Sequence, residues 1–155
     1  MSLTRVEELL KEIDDTISNI EKFKPSELER DYLAKFLAVF ISGTYEECIK
    51  DIITQKICST CSQEAMLLVE NYLYENFRNP TIANIEQLLL KFNPDWRDEF
   101  VKMHSLLKSG VDLIVENRNR FSHGRTFNIT LRETIEAHEK GKEVIIKIRE
   151  IILND

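Results

Sequence analysis

Glycine, proline and cysteine are scarce in this chain, and long apolar segments are missing. Its 155 residues include 4 Gly, 3 Pro and 3 Cys, while 43% are hydrophobic and 31% are charged. This balance is typical of a globular protein and excludes a disordered or collagen-like one. The longest uncharged apolar run, residues 36–41, is far shorter than a membrane span, so we expect no membrane partner.

The cysteines and the net charge exclude further classes of protein. Cys48, Cys58 and Cys61 are odd in number and form no disulfide framework, so we expect reduced thiols and a cytoplasmic location. Cys58 and Cys61 could supply half of a zinc site, but no second pair of ligands follows, and we expect neither metal nor cofactor. A net charge of −6 argues against non-specific coating of long nucleic acids, yet it permits a small, local basic site.

Hydrophobic periodicity predicts an all-α fold. Apolar residues recur at three- and four-residue steps through most of the chain, and no segment alternates as a strand would. We see no Gly-rich phosphate-binding loop and no internal repeat. Start and stop signals predict a single domain over residues 1–155, built as a bundle of five to six helices: 3–23, 26–57, 62–79, 81–92, 94–122 and 130–153. Thr130 and Glu133 form a predicted capping box at the start of the last helix, and Gly124 is the predicted C-terminal cap after the fifth.

The second helix is the most apolar, so we place it at the centre of the bundle. Its side chains Ser42, Glu46 and Lys50 recur every four residues and form a polar stripe on one face. Gly43, beside this stripe, costs helix propensity and predicts close approach of another backbone. Two interpretations stay open: a packing notch with a surface Glu–Lys pair, or part of a functional site.

The most unusual segment is 116–125, at the end of the fifth predicted helix. From Arg118 to Arg125 it carries three arginines and no acid, so this segment is positively charged although the net charge of the chain is negative. Asn119 and His123 are four residues apart and share a helical face. Arg118 lies about 140° round the helix from His123, so the two converge only if the last turn opens, which the following Gly124 permits.

These residue types suit cleavage of RNA without metal. A histidine can take up the proton of the ribose 2′-OH, an amide can orient the imidazole, and an arginine can stabilise charge on the phosphoryl oxygens. The structural interpretation is that basic residues gather at helix C-termini because they complement the helix dipole. Spacing alone slightly favours this second interpretation.

The motif 118–123, Arg-Asn-Arg-Phe-Ser-His, resembles the RNxxxH motif of the HEPN superfamily. Residues 42–46, Ser-Gly-Thr-Tyr-Glu, resemble the SGxxE of its RiboL-PSP-type branch, and the entry to the last helix, 128–131, is similar as well. The resemblance covers about residues 30–153. It implies a helical bundle that dimerises, with the motifs of two subunits lining one cleft, and members of the superfamily include metal-independent endoribonucleases of toxin–antitoxin, anti-phage and RNA-processing systems.

Carried over by position, the resemblance implies a role for each site residue. Arg118 would hold the scissile phosphate, Asn119 would orient the site, and His123 would transfer protons. Glu46 would support the site from the second helix. We also expect the RNA substrate to be contacted by Arg120 and Arg125.

Two alternatives remain open at this point. One is a non-catalytic helical module that binds a partner protein or nucleic acid, in which Arg118 and His123 are structural. The other is an enzyme that is silent alone and depends on a partner protein, as a toxin encoded beside an antitoxin would.

Overall fold

A computed structural model describes residues 4–154 of the chain. The described residues form seven α-helices and no strand: α1 (Arg5–Phe23), α2 (Glu27–Cys58), α3 (Gln63–Asn76), α4 (Ile82–Phe92), α5 (Pro94–Val101), α6 (Ser105–Ser122) and α7 (Leu131–Leu153). The predicted all-α class is confirmed, with seven helices instead of five to six. None of the helices between residues 4 and 154 combines the length and the apolar character needed to cross a bilayer.

The additional helix arises because the predicted helix 94–122 is divided in two. The backbone N–H of Lys102 donates to the carbonyl oxygens of Glu99 and Phe100, and α5 ends there. His104 then begins α6, since its Nδ1 accepts the N–H of Leu106 at 3.2 Å. Neither glycine nor proline marks this break, and the apolar periodicity continues across it, so the sequence pattern does not reveal it.

Side-chain caps define the other helix boundaries. Thr4, Ser26 and Thr130 each form a reciprocal capping box with the glutamate three residues later. The predicted box at Thr130 is confirmed, with its backbone N–H donating to Glu133 Oε2 at 2.8 Å. Each such cap stabilises its helix by about 1 kcal/mol. At the other end of α6, Gly124 adopts φ +65°, which is the conformation predicted for a helix stop.

Helix α2 lies at the centre and packs against α1, α3, α6 and α7. Its fully buried side chains, which include Leu37, Ile41 and Ile49, belong to one continuous hydrophobic core. The predicted central position of α2 is confirmed, but its N-terminal half is not covered on all sides, because Tyr32 is 63% exposed and Phe36 is 50% exposed. One face of this half of the helix therefore remains uncovered.

Close helix packing occurs at glycines other than the expected one. Within the described residues no backbone approaches Gly43, because a Cβ there would meet nothing within 4 Å. A Cβ at Gly110 would lie 2.6 Å from the carbonyl oxygen of Ala137, and a Cβ at Gly141 would lie 2.5 Å from Tyr45 Oη. Glycine is thus required where α7 packs on α6 and on α2.

Candidate functional site

The last turn of α6 holds an arginine through a neighbouring amide. Arg118 Nη1 donates to Asn119 Oδ1 at 3.0 Å, and Asn119 Nδ2 donates in turn to Asn79 Oδ1 at 2.8 Å. Both side chains of the α6 pair are half-buried. Within residues 4–154 the Arg118 guanidinium forms no ion pair, so no carboxylate balances its positive charge there.

Asn79 connects this turn to α2. It lies between α3 and α4 with φ +64°, a conformation that asparagine tolerates better than most residues. Its backbone N–H donates to Glu46 Oε2 at 3.1 Å while its side chain binds Asn119. In the sequence, Asn79 indicates only the end of the predicted helix 62–79. The local signal indicates the turn, but nothing local indicates which distant groups the residue reaches.

Glu46 is held by a buried lysine. Its Oε1 accepts from Lys50 Nζ at 2.7 Å, and the two side chains are 17% and 7% exposed. Lys50 Nζ also lies 4.5 Å from the centre of the Tyr74 ring. The interpretation as a surface Glu–Lys pair is therefore wrong. Glu46 therefore has a buried cation beside it at the far end of the chain of hydrogen bonds that leads to Arg118.

His123 lies just beyond the helix, as its C-cap residue. Its backbone N–H donates to the carbonyl oxygen of Asn119 at 3.1 Å, and its side chain is exposed. Among the described residues no hydrogen bond reaches its imidazole. The amide that we expected to orient this ring, that of Asn119, is instead bonded to Arg118 and Asn79.

The network therefore joins three of the four predicted catalytic residues. Arg118, Asn119 and Glu46 are linked through Asn79, whereas the His123 side chain stands outside the network at the surface.

Hydrogen bonds from two backbone N–H groups hold the two ends of the loop after α6. Next to Gly124, the N–H of Arg125 donates to the carbonyl oxygen of Arg120 at 2.8 Å. Farther along, the N–H of Asn128 donates to Oδ1 of the buried Asn117 at 3.0 Å. Arg120 and Arg125 are both exposed, as a contact with a ligand would require. Asn117, in contrast, is buried and connects this loop to α6.

The exposed end of α6 thus combines cations with a titratable ring. Guanidinium groups present a planar fork that matches phosphate oxygens, and an imidazole can accept or donate a proton. Over the part of the chain that the structure describes, no three His, Cys, Asp or Glu side chains are grouped to hold a metal ion.

Comparison with known proteins identifies the family. The chain matches no curated protein and no solved structure at a significant level. The family model RiboL-PSP-HEPN matches residues 4–154, which is almost the whole chain. This match agrees with the helical fold described above, and the protein therefore belongs to the RiboL-PSP-HEPN family.

Proposed function

We propose that this protein is a metal-independent endoribonuclease that cleaves RNA by transesterification. The observation that carries the proposal is the end of α6, where Arg118 is positioned by Asn119 without an acidic partner and His123 is exposed five residues later. A cation positioned by fixed hydrogen bonds stabilises developing phosphoryl charge more effectively than a mobile one.

The proposed reaction requires two proton transfers and one cation. The ribose 2′-oxygen loses its proton to a base and forms a bond to the adjacent phosphorus, while the bond from phosphorus to the 5′-oxygen breaks and that oxygen receives a proton. The products are a 2′,3′-cyclic phosphate and a 5′-hydroxyl. His123 serves in proton transfer, and Arg118 stabilises the negative charge on the phosphoryl oxygens. The requirement for a 2′-OH makes the reaction specific for RNA.

The active form that we propose is a homodimer with one composite cleft. The uncovered face of α2 supports it: Leu28, Tyr32, Phe36, Val39 and Gly43 fall within an arc of about 80° and are all exposed. Glu46 continues the same face one turn later, at the point where Asn79 covers it. A partner seated on this apolar face would therefore lie next to the site, and an isologous pair would bring together two copies of His123, one as base and one as acid.

We place the activity in a toxin–antitoxin or anti-phage system, with an antitoxin-like protein as partner. The support is the resemblance of the RNxxxH motif to such nucleases and the family match over residues 4–154. The cysteines Cys48, Cys58 and Cys61 are free, which suits a cytoplasmic protein.

The test is cleavage of labelled single-stranded RNA in EDTA. We expect wild type to cleave, His123→Ala to lose about 100- to 10,000-fold and Arg118→Ala about 100- to 1,000-fold in rate. Arg118→Lys keeps the charge but loses the fork, so it should recover only part of the activity. The matched control is His104→Asn, which removes the other exposed histidine of α6 while retaining a good N-cap.

A non-catalytic binding module is the second candidate, favoured by the position of the His123 imidazole outside the hydrogen-bonded network. Undiminished cleavage by His123→Ala would exclude the proposed mechanism. Binding of RNA or protein without any cleavage by wild type would favour the module.

A further inference from the structure

A groove of about 430 Å³ adjoins the proposed active site. It lies between the N-terminal part of α2, which contributes Lys35, and the loop after α6, which contributes Gly124 and Arg125. Gly124 directly follows His123, so the groove begins one residue from the proposed catalytic histidine. Its volume is within the range of sites that bind small molecules or single nucleotides.

The lining combines aromatic rings with cations. Phe121, which is 45% exposed, and Phe127 line the groove together with Lys35 and Arg125. Among the described residues neither cation is in an ion pair. Asp31 is the acid among the lining residues, which leaves an excess of one positive charge in a chain whose net charge is −6.

The backbone around the groove is held before any ligand binds. Gly124 adopts φ +65°, and the N–H of Arg125 is bonded to Arg120. The N–H of Asn128, which stands between the lining residues Phe127 and Ile129, is bonded to the buried Asn117. A preformed loop reduces the entropy that is lost when a ligand is ordered.

We propose that this groove binds a nucleotide of single-stranded RNA next to the cleaved bond. The base stacks on Phe121, and Lys35 and Arg125 contact the phosphates on either side of it. Stacking on an aromatic ring requires an unpaired base, so the groove selects single strands over duplexes without demanding a particular sequence. The inference rests on the proposed ribonuclease function and adds a binding subsite to it.

The test measures binding separately from cleavage. In a His123→Ala background, the affinity for a short fluorescent single-stranded RNA is measured by anisotropy at several salt concentrations. We expect Phe121→Ala to weaken binding about 5- to 100-fold and Phe121→Trp to retain it. Leu68→Ala, which removes an exposed apolar side chain of α3 that lines neither the groove nor the uncovered face of α2, is the matched control and should leave the affinity unchanged.

The salt dependence tests the cations independently of Phe121. Lys35→Ala and Arg125→Ala should each reduce the slope of log affinity against log salt by about 0.7, because each removes one single-strand phosphate contact. Lys11→Ala, an exposed lysine on α1, should leave the slope unchanged.

Three results decide between the two proposals. Normal affinity of Phe121→Ala, or equally tight binding of duplex RNA, overturns the groove even if wild type cleaves RNA. Binding that depends on Phe121, in a wild-type protein that never cleaves, overturns the nuclease and supports the groove. Unchanged salt slopes in both cation variants overturn the phosphate contacts.

Discussion

Asn79 acts on the proposed site through its side chain and its backbone at once. The side chain accepts from Asn119, which holds Arg118, and the backbone N–H donates to Glu46. The last turn of α6 and the centre of α2 are thereby joined by one residue in a short connector. We therefore propose a positioning role for Asn79, since it contacts the Asn119 amide that binds Arg118 and not the arginine itself.

We expect Asn79→Gly to reduce the cleavage rate by up to about 100-fold with little change in the urea midpoint, because glycine keeps the positive φ but removes the acceptor for Asn119. Asn79→Asp, which retains an oxygen acceptor and also tolerates positive φ, should recover activity. Rates are measured under single-turnover conditions beside urea denaturation. If Asn79→Gly cleaves at the wild-type rate, the link from Asn79 to Arg118 has no role in positioning.

His138 forms a second polar network, buried away from the site. Its Nδ1 lies 2.8 Å from Tyr45 Oη and its Nε2 lies 3.0 Å from Asp14 Oδ1, while Lys142 also donates to Asp14. Burial lowers the pKa of His138 below 6.5, and the hydrogen bond to Asp14 and the charge of Glu139 only partly oppose this. Burial also opposes ionisation of Asp14, but bonds from Lys142 and His138 outweigh it and lower that pKa. The network therefore favours a neutral imidazole beside a carboxylate.

Stability should fall as the pH is lowered from 7.5 to 5.5. Unfolded His138 takes up a proton as the pH falls through about 6.5, whereas the folded residue does so only at lower pH, so the unfolded state gains protons first. The contribution of Asp14 is lost in a separate window, as the pH falls below about 4. Urea denaturation at both pH values, for wild type and His138→Gln, measures the effect. The same pH dependence in both proteins would contradict the assignment to His138.

At the scale of the helices, glycines have opposite roles in α2 and α7. Gly43 is exposed on α2 with open space around it, whereas Gly141 on α7 lets Tyr45 pack against the helix backbone. Tyr45 is fully buried and bonded to His138, so it cannot move aside without breaking that network.

Alanine substitutions at these two glycines should change stability in opposite directions. Gly43→Ala should raise the free energy of unfolding by about 1 kcal/mol, because alanine is the better helix former and meets no neighbour. Gly141→Ala should lower it by about 1–3 kcal/mol, because the new Cβ would overlap Tyr45. Urea denaturation measures both. If Gly43→Ala makes the protein more stable but slows RNA cleavage, a partner or substrate contacts this face. If Gly43→Ala destabilises the protein, the open space around Gly43 is contradicted.

At the scale of the whole molecule, the uncovered face of α2 is the surface on which the proposed dimer would form. Large exposed apolar side chains follow one another along this face, and Phe36 stacks on Phe40 with 5.7 Å between ring centres. Contiguous apolar patches of this kind usually mark interaction sites. A second copy seated here would bury the patch and complete the cleft.

We expect Phe36→Glu to convert the proposed dimer to a monomer and to abolish the proposed cleavage, because a charge within an isologous interface is buried twice. Light scattering after size exclusion measures the mass, and the EDTA assay measures activity. Leu68→Glu is the matched control, since Leu68 is 71% exposed on α3 and outside this face. A monomeric wild type that cleaves RNA would refute the composite cleft.

Local patterns in the sequence predicted much of the helical fold. The caps at Thr130 and Gly124 were readable because they involve residues three or four positions apart. The break between α5 and α6 was not readable, because a histidine caps α6 and the apolar spacing continues through it. The motif from Arg118 to His123 was found in the same way, from neighbours in the chain, and the family that it suggested is confirmed by the match over residues 4–154.

The sequence by itself determined the all-α class, most of the helices and the caps at Thr130 and Gly124, because these depend on short-range spacing and on side-chain chemistry. Only the tertiary structure decided that Asn119 binds Asn79, 40 positions away, and that Tyr45 meets His138, 93 positions away. It also decided that Lys50 is buried and that Phe36 is not. The physical reason is that burial and long-range hydrogen bonds depend on how the helices pack. The residues next to a side chain in the sequence do not determine which distant residue will cover it.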